Sequence, residues 1–217
     1  MTMERKIVPV GAFAANCVVL WQAGGDACWI VDPGADAADI AAFCDEKGLR
    51  PALVALTHGH FDHIGGVTGL LAKWPGLPVH IAPGDAPWAF TPVNACAGAY
   101  PATARPATLV ADLADGAELA AAGLSARVLA TPGHTPGGVC LLFAGADGAP
   151  LLLSGDTLFA GSCGRTDFPG GSPAQMAASL RRLAALPPAT VVVPGHGGAT
   201  TLARELASNP FLQQARG

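Results

Sequence analysis

The sequence predicts one α/β domain over residues 1–217, and three observations support this prediction. Short apolar runs bounded by glycine or proline indicate buried strands. Segments with helix start and stop signals lie between these runs. No internal repeat is visible and no linker is long enough to divide the chain, which at 217 residues can bury a substantial core.

The strands are predicted from apolar runs that are too short for helices and end at turn-forming residues. In chain order, the predicted strands are CVVLW (17–21), ACWIVD (27–32), ALVALT (52–57), PVHIA (78–82), ARVLAT (126–131), GVCLLF (138–143), PLLLSG (150–155) and TVVVPG (190–195).

Three helices are predicted between these strands. Residues 35–48 end on Gly48, as a helix with a glycine C-terminal cap does, and residues 65–74 stop before a proline. Residues 172–186 open with Ser172 as the N-cap and proline in the first turn. Residues 83–116 predict a long irregular excursion, which in a compact domain tends to be functional.

Composition excludes several classes of protein. The net charge is −4 and no block of lysine and arginine occurs, so nucleic acid is not an expected partner. No apolar run approaches the roughly 20 residues that span a bilayer, so no membrane partner is expected. The N-terminus has no signal-peptide pattern. Isolated cysteines without a CxxC pair predict reduced thiols, and we expect a cytoplasmic protein.

The stretch THGHFDHIGG at residues 57–66 crowds His58, His60, Asp62 and His63 together directly after an apolar run. Polar groups that leave water need partners in the folded protein, and a metal ion is the most economical partner for such a cluster. Three further segments, RVLATPGH, LLLSGD and VVVPGH, also place a histidine or an aspartate directly after a predicted strand. Strand ends at one edge of a sheet are where α/β proteins assemble their sites.

The donors in these segments predict two metal ions. Histidine and carboxylate are ordinary ligands for zinc, the expected metal, and also for iron and manganese. Seven protein ligands exceed the needs of one tetrahedral ion, but they suit two ions bridged by a carboxylate. The predicted ligands are His58, His60, His134 and Asp156 in one set and Asp62, His63 and His196 in the other.

These motifs resemble the metallo-β-lactamase superfamily. THGHFDH matches its HxHxDH signature, and TPGHTPGG, SGDT and PGHG follow in the order of its later metal motifs. The resemblance covers nearly the whole chain and implies a four-layer αββα sandwich with the site at one edge. It places His58, His60 and His134 on one metal and Asp62, His63 and His196 on the other. In this assignment Asp156 bridges the two ions.

Within that superfamily, GDTLFAGSCGRTDFPGG (155–171) and LASNPFL are similar to the short glyoxalase II-like hydrolases. The resemblance implies hydrolysis of a small thioester, S-lactoylglutathione or a related acylglutathione, with Asp62 as a ligand that also orients the attacking hydroxide. Long glyoxalase II enzymes carry a C-terminal helical domain and follow the last histidine with Glu-Tyr. Here Gly197 and Gly198 follow it and the sequence ends at Gly217, so we expect weaker glutathione binding.

Two alternative activities remain open on the sequence: a mononuclear iron persulfide dioxygenase, and a lactonase or lactamase with the same metals. Two residues outside the ligand set also have alternative roles. Arg165 is predicted to bind a substrate carboxylate, by its resemblance in position to a glutathione-binding lysine, or else to pair with Asp167. Asp32 is predicted to support a metal ligand or simply to form the turn in DPG.

Overall fold

The protein is described by a computed structural model over residues 2–94, 100, 102–145 and 148–216. Its first sheet has six strands, which lie in the same order in space as in the chain. They are β1 (Met3–Val10), β2 (Ala15–Gln22), β3 (Ala27–Val31), β4 (Arg50–Ala55), β5 (Val79–His80) and β6 (Leu109–Val110). The first three strands are antiparallel, and β3 to β6 are parallel.

The second sheet also has six strands. They are β7 (Glu118–Ala121), β8 (Leu124–Ala130), β9 (Val139–Phe143), β10 (Leu151–Gly155), β13 (Val191–Pro194) and β14 (Thr200–Thr201), and a separate hairpin joins β11 (Leu158–Phe159) to β12 (Ser162–Cys163). The spatial order is β14-β13-β10-β9-β8-β7. Because β9 is antiparallel to both β8 and β10 while β10 and β13 are parallel, the chain leaves β8, β10 and β13 at the same edge.

Six α-helices among the described residues flank the sheets. They are α1 (Ala37–Lys47), α2 (Phe61–Ile64), α3 (Val67–Lys73), α4 (Pro173–Ala184), α5 (Leu202–Ser208) and α6 (Pro210–Arg216). The predicted boundary signals are confirmed for two of them. Gly48 has φ of 66° and donates its N–H to the carbonyls of Cys44 and Asp45 at the end of α1. The Ser172 hydroxyl accepts the N–H of Gln175 at the start of α4.

Three apolar clusters define the layers. Between the sheets, Val18 and Leu20 of β2 pack against side chains from the second sheet. Their neighbour Val19 faces the opposite side and packs with residues of α1 and α3. On the outer face of the second sheet, Leu152 and Val192 pack with α4, α5 and α6. This alternation of side chains along each strand produces the predicted four-layer αββα sandwich.

Each predicted strand is present, although the run at 78–82 contains only two strand residues, Val79 and His80. The unpredicted strand β1 has three consecutive charged, exposed residues at its start, so it has no apolar run that could reveal it. Helix α6 was not predicted, although Asn209 and Pro210 form an N-terminal capping pattern in the sequence. In the structure the side chain of Asn209 accepts the N–H groups of Phe211 and Leu212.

Part of the predicted irregular excursion, residues 95–99 and 101, lies outside the described residues, and so does Cys96. The described remainder of 83–116 consists of turns, loops and a short 3₁₀ helix at 92–94, together with β6. The described cysteines are free thiols, and all of them except Cys163 are buried. Within the described part of the chain, no helix combines the length and apolar character needed to cross a membrane.

Candidate metal centre

The polar residues that follow the strands converge at one edge of the sandwich. His58 and His60 lie in the loop after β4, and Asp62 and His63 lie in α2 directly behind it. His134, Asp156 and His196 follow β8, β10 and β13, which end at the same edge of the second sheet. Each sheet therefore contributes one side of the cluster.

The first group of potential ligands contains His58, His60 and His134. One ligand atom from each residue lies within 4.8 Å of the others. Nδ1 of His60 and Nε2 of His134 are 2.8 Å apart. Nε2 of His58 is buried and has no hydrogen-bond partner. A buried ring nitrogen without a partner is costly, and a metal ion bound by these three nitrogens would remove that cost.

The second group contains Asp62, His63 and His196, whose ligand atoms also lie within 4.8 Å of one another. The Nε2 atoms of His63 and His196 are 3.2 Å apart. Oδ2 of Asp62 lies 3.3 Å from Nε2 of His196. Two imidazole nitrogens and a carboxylate oxygen that face one point form an ordinary donor set for a divalent transition metal.

Asp156 lies between the two groups. Its Oδ2 is 3.3 Å from Nε2 of His134 and 3.7 Å from Nε2 of His196. Its Oδ1 is 3.5 Å from Nε2 of His63, and this oxygen is buried without a hydrogen-bond partner. One carboxylate thus faces histidines of both groups, which is the position expected of a bridging ligand.

Hydrogen bonds on the outer side of the cluster set the orientation of three histidines. Nδ1 of His134 donates to the carbonyl of Arg165 at 2.7 Å, and Nδ1 of His196 donates to the carbonyl of Phe13 at 3.0 Å. Nδ1 of His63 donates to Oδ2 of Asp32 at 3.0 Å. Because the Nδ1 proton points outward in each case, the Nε2 lone pair is presented to the cluster, as metal binding requires.

The electrostatics of the two groups differ. Burial lowers the pKa of His58 well below its usual value and lowers that of His60 to about 3, so both are neutral ligands. Burial also opposes charge on His63, but the carboxylates of Asp156, Asp32 and Asp62 outweigh it and raise the His63 pKa to about 9. These carboxylates favour positive charge at His63, which a bound cation would supply in place of the Nε2 proton.

Asp32 contacts the histidine cluster and also lies in the turn at DPG. Its carboxylate accepts the backbone N–H of Thr57 at 2.7 Å and the Thr57 hydroxyl at 2.6 Å, in addition to the ring N–H of His63. Its carbonyl accepts the N–H of Gly34 at 2.8 Å within the turn. Asp32 thereby fixes His63 and the start of the histidine loop from the same position.

Asp85 is a functional candidate that the sequence analysis missed. Its buried carboxylate accepts the N–H of Gly59 at 2.8 Å, the hydroxyl of Thr135 at 2.7 Å and the N–H of Gly137 at 2.6 Å. Gly59 separates two histidines of the first group, and Thr135 follows the third. Asp85 therefore ties together the two loops that supply this group. No local pattern around PGD at 83–85 indicated such a role.

A cavity of about 980 Å³ opens over the cluster, within the range of small-molecule sites. Arg165 lines it, but the side chain is exposed and donates two hydrogen bonds to Asp167, at 2.6 and 2.7 Å. Cys163 also lines the cavity, and burial raises the pKa of its thiol, which makes a reactive thiolate unfavourable. His80 lies outside the cluster and pairs with Asp112 at 2.9 Å.

Two sheets flanked by helices, with a histidine and aspartate cluster at one edge, define a metalloenzyme of the hydrolytic class. The chain belongs to the metallo-beta-lactamase superfamily, whose sequence profile matches residues 10–196. The probable metallo-hydrolase YqgX of Bacillus subtilis is 38% identical, covering 97% of this chain and 98% of the relative. The hydroxyacylglutathione hydrolase of Cupriavidus taiwanensis is 40% identical over a region that covers 88% of this chain and 66% of that relative.

Solved structures show the same fold. The BLEG-1 B3 metallo-beta-lactamase superposes with a TM-score of 0.86 at 32% identity, and the match covers 96% of this chain and 99% of that one. The crystal structure of TTHA1623 in a di-iron-bound form superposes with a TM-score of 0.77 at 37% identity, over 95% of this chain and 99% of that one.

Substituting Gly195→Ala is expected to reduce metal content. A β-carbon at this position would collide with Oδ1 of Asp156 and would lie 2.9 Å from Cε1 of His63, so the bridging carboxylate would have to move. Elemental analysis of the purified chain measures the effect. Gly198→Ala is the matched control, because its β-carbon would meet nothing within 4 Å. Equal metal content in the two variants would contradict the predicted position of the bridging ligand.

Substituting Asp85→Asn is expected to weaken metal binding by about tenfold to a hundredfold, since the partners of metal-binding loops have effects of this size. Both carboxylate oxygens of Asp85 accept hydrogen bonds. In asparagine an NH₂ group replaces one of these oxygens, and this NH₂ would face an N–H or hydroxyl donor with no acceptor available. Competition with a chromophoric zinc chelator measures the affinity, and Asp112→Asn, at the distant His80 pair, is the control. A lower melting temperature of the metal-free chain with unchanged zinc affinity would assign Asp85 to the scaffold alone.

Proposed function

We propose that this chain is a dinuclear metal hydrolase that cleaves thioesters, with S-lactoylglutathione or a related acylglutathione as substrate. The position of Asp156 between two three-residue groups carries the proposal, because one ion would leave one of these groups unused. The similarity to hydroxyacylglutathione hydrolases and to a protein crystallised in a di-iron-bound form supports it.

The proposed ligand assignment follows from the two groups. His58, His60 and His134 would hold the first ion, Asp62, His63 and His196 would hold the second, and Asp156 would be available to both. The donors are nitrogen and oxygen atoms, which zinc, iron and manganese all accept, and zinc is the metal that we propose.

The two divalent ions, when bound, would supply a Lewis acid for the carbonyl oxygen and lower the pKa of the attacking water. The residues of the chain position the reactants. Asp62, at the edge of the second group, can accept a hydrogen bond from the attacking water and so orient it. The walls of the cavity hold the thioester above the cluster. A thiol with a pKa of about 8.5 departs readily as thiolate, so thioester cleavage does not require a general acid.

A second candidate function is hydrolysis of a β-lactam or a lactone by the same centre. The similarity to the BLEG-1 B3 metallo-beta-lactamase over nearly the whole chain favours it. An amide nitrogen is a poorer leaving group than a thiolate and requires protonation as it departs. This difference in leaving-group chemistry is the reason that we place thioesters first.

The metal-loaded chain is expected to contain two transition-metal ions and to release thiol from S-lactoylglutathione. Elemental analysis and a thiol-detecting assay on the same sample measure both quantities. Substituting His58→Ala or Asp156→Ala should remove metal and nearly all hydrolysis, because each removes a ligand. His80→Ala is the matched histidine control and should retain both, since His80 lies outside the cluster.

Each alternative gives a different result in this assay. One iron ion per fully active chain, with oxygen consumption on glutathione persulfide, would indicate the dioxygenase. Rapid cleavage of lactams or lactones by a fully loaded sample that releases no thiol would favour the second candidate and contradict the thioester assignment.

Arg165 is the residue that we propose binds a carboxylate on the thiol side of the substrate. Its guanidinium lies at the rim of the cavity and is paired with Asp167, so a substrate carboxylate would have to compete with that ion pair. The guanidinium group of arginine can bind the carboxylate of Asp167 or that of the substrate in the same two-bond geometry. The ion pair with Asp167 therefore weakens the expected binding of the substrate carboxylate by Arg165 but does not prevent it.

Substituting Arg165→Ala is expected to lower kcat/KM for acylglutathione by about tenfold, mainly through KM, because a lost charged hydrogen bond is of this order. An uncharged thioester should be little affected. Asp167→Ala should have the opposite effect and lower KM for acylglutathione, since it frees the guanidinium. Equal losses on both substrates in Arg165→Ala would contradict carboxylate binding by Arg165. Its role would then be limited to its contacts with Asp167 and Phe168.

A further inference from the structure

The cavity above the metal cluster is walled by aromatic side chains. The aromatic lining residues are Phe13, Phe61, Trp88, Tyr100, Phe159 and Phe168. They border the ligand histidines directly. The rings of Trp88 and Phe168 each lie 5.6 Å from the ring of His60, and Phe159 lies 6.2 Å from His196. A group attached to a carbonyl that reacts at the cluster must therefore lie against aromatic surface.

Several of these apolar side chains are exposed although they are large. Phe13 is 48% exposed, Phe168 is 41% exposed and Val93, which also lines the cavity, is 75% exposed. Such residues usually occur singly on protein surfaces, and their concentration at one cavity is typical of a binding surface. Phe13 also packs edge-on against Phe61 and Tyr100, with ring centroids 5.5 and 5.6 Å away. The exposed Phe13 ring is therefore packed against two other rings of the cavity before any ligand binds.

Charge in the cavity is sparse and lies in separate places. Apart from the histidines, Arg165 is the one cation among the described residues that line it, and this residue is at the exposed rim with Asp167 as its partner. The acidic lining residues Asp62 and Asp156 belong to the metal cluster. The charged part of a thiol such as glutathione can therefore find a cation only at the rim, whereas the aromatic wall carries no charge and, apart from the Tyr100 hydroxyl and the Trp88 ring N–H, presents apolar surface.

We infer that the cavity binds a large apolar acyl group and that the preferred substrates are thioesters of aromatic or medium-length aliphatic acids. This inference rests on the proposed thioester hydrolysis and specifies its substrate class. The polar thiol part extends past the rim toward Arg165 and water, and the acyl part fills the aromatic cavity. Lactate is small and carries a hydroxyl group, so its thioester leaves most of the apolar surface exposed to water.

The first experiment compares lactoyl, hexanoyl and phenylacetyl thioesters of glutathione on the metal-loaded chain. Each rate is divided by the rate of uncatalysed alkaline hydrolysis to remove differences in intrinsic reactivity. We expect kcat/KM for the phenylacetyl compound to exceed that for the lactoyl compound by about tenfold or more, because burial of a phenyl group has an effect of at least this size. Equal values, or a preference for lactoyl, overturn the inference and leave the proposed hydrolysis standing.

Two variants test whether the exposed rings cause this preference. Phe13→Ala and Phe168→Ala should each lower the phenylacetyl-to-lactoyl ratio at least about threefold, since each removes part of the apolar wall. Phe211→Ala is the matched control, because Phe211 has the same side chain and is 44% exposed but does not line the cavity. An unchanged ratio in both cavity variants would overturn the inference.

A binding measurement separates this inference from the proposed reaction. S-benzylglutathione and S-methylglutathione are thioethers that cannot be hydrolysed, and titration calorimetry on the metal-loaded chain gives their affinities. The benzyl compound should bind about tenfold more tightly, with the difference reduced in Phe13→Ala and Phe168→Ala. Equal affinities overturn the apolar site whatever the reaction. Tighter benzyl binding in a chain that cleaves no thioester supports the apolar site and refutes the proposed function alone.

Discussion

The site depends on one constraint: polar atoms that are buried at the edge of the sandwich lack protein partners and face each other. Nε2 of His58 and Oδ1 of Asp156 are buried without hydrogen bonds. In the absence of a cation this arrangement would be unfavourable, because buried polar groups need compensation. A bound cation would therefore stabilise this edge of the sandwich, and the surrounding hydrogen bonds orient the residues that would bind it.

The centre also depends on how the two sheets meet. His58, His60, Asp62 and His63 come from the first sheet's side, whereas His134, Asp156 and His196 follow strands of the second. Backbone hydrogen bonds join the sides next to the ligands: Val139 donates to Thr57 at 2.9 Å, and Asn16 donates to Gly195 at 2.7 Å. A shift of one sheet against the other would separate the two halves of both groups, so sheet packing sets the geometry of the site.

Two buried aspartates support the loops that carry the histidines of the cluster. Asp32 holds His63 and Thr57 from the first sheet, and Asp85 joins the loops around Gly59 and Thr135, which belong to different sheets. The aromatic cavity lies above the cluster, and some of its rings, such as Phe13 and Phe168, lie outside the ligand segments, whereas Phe61 lies between His60 and Asp62. The carbonyls of Phe13 and Arg165 accept the ring N–H groups of His196 and His134, so residues of the cavity wall also orient the histidines of the cluster.

The sequence by itself determined the fold class and the residues that form the cluster, because each ligand follows an apolar strand whose pattern is local. Periodicity and capping residues such as Gly48 and Ser172 act over a few neighbours and can be read without the fold. Asp85, the pairing of Arg165 with Asp167, and the joining of six aromatic rings in one cavity required the tertiary structure. Asp85 and Thr135 are 50 positions apart in the chain, and only the packing of the two sheets brings them within 2.7 Å. Contacts of this kind depend on long-range geometry, which no local pattern encodes.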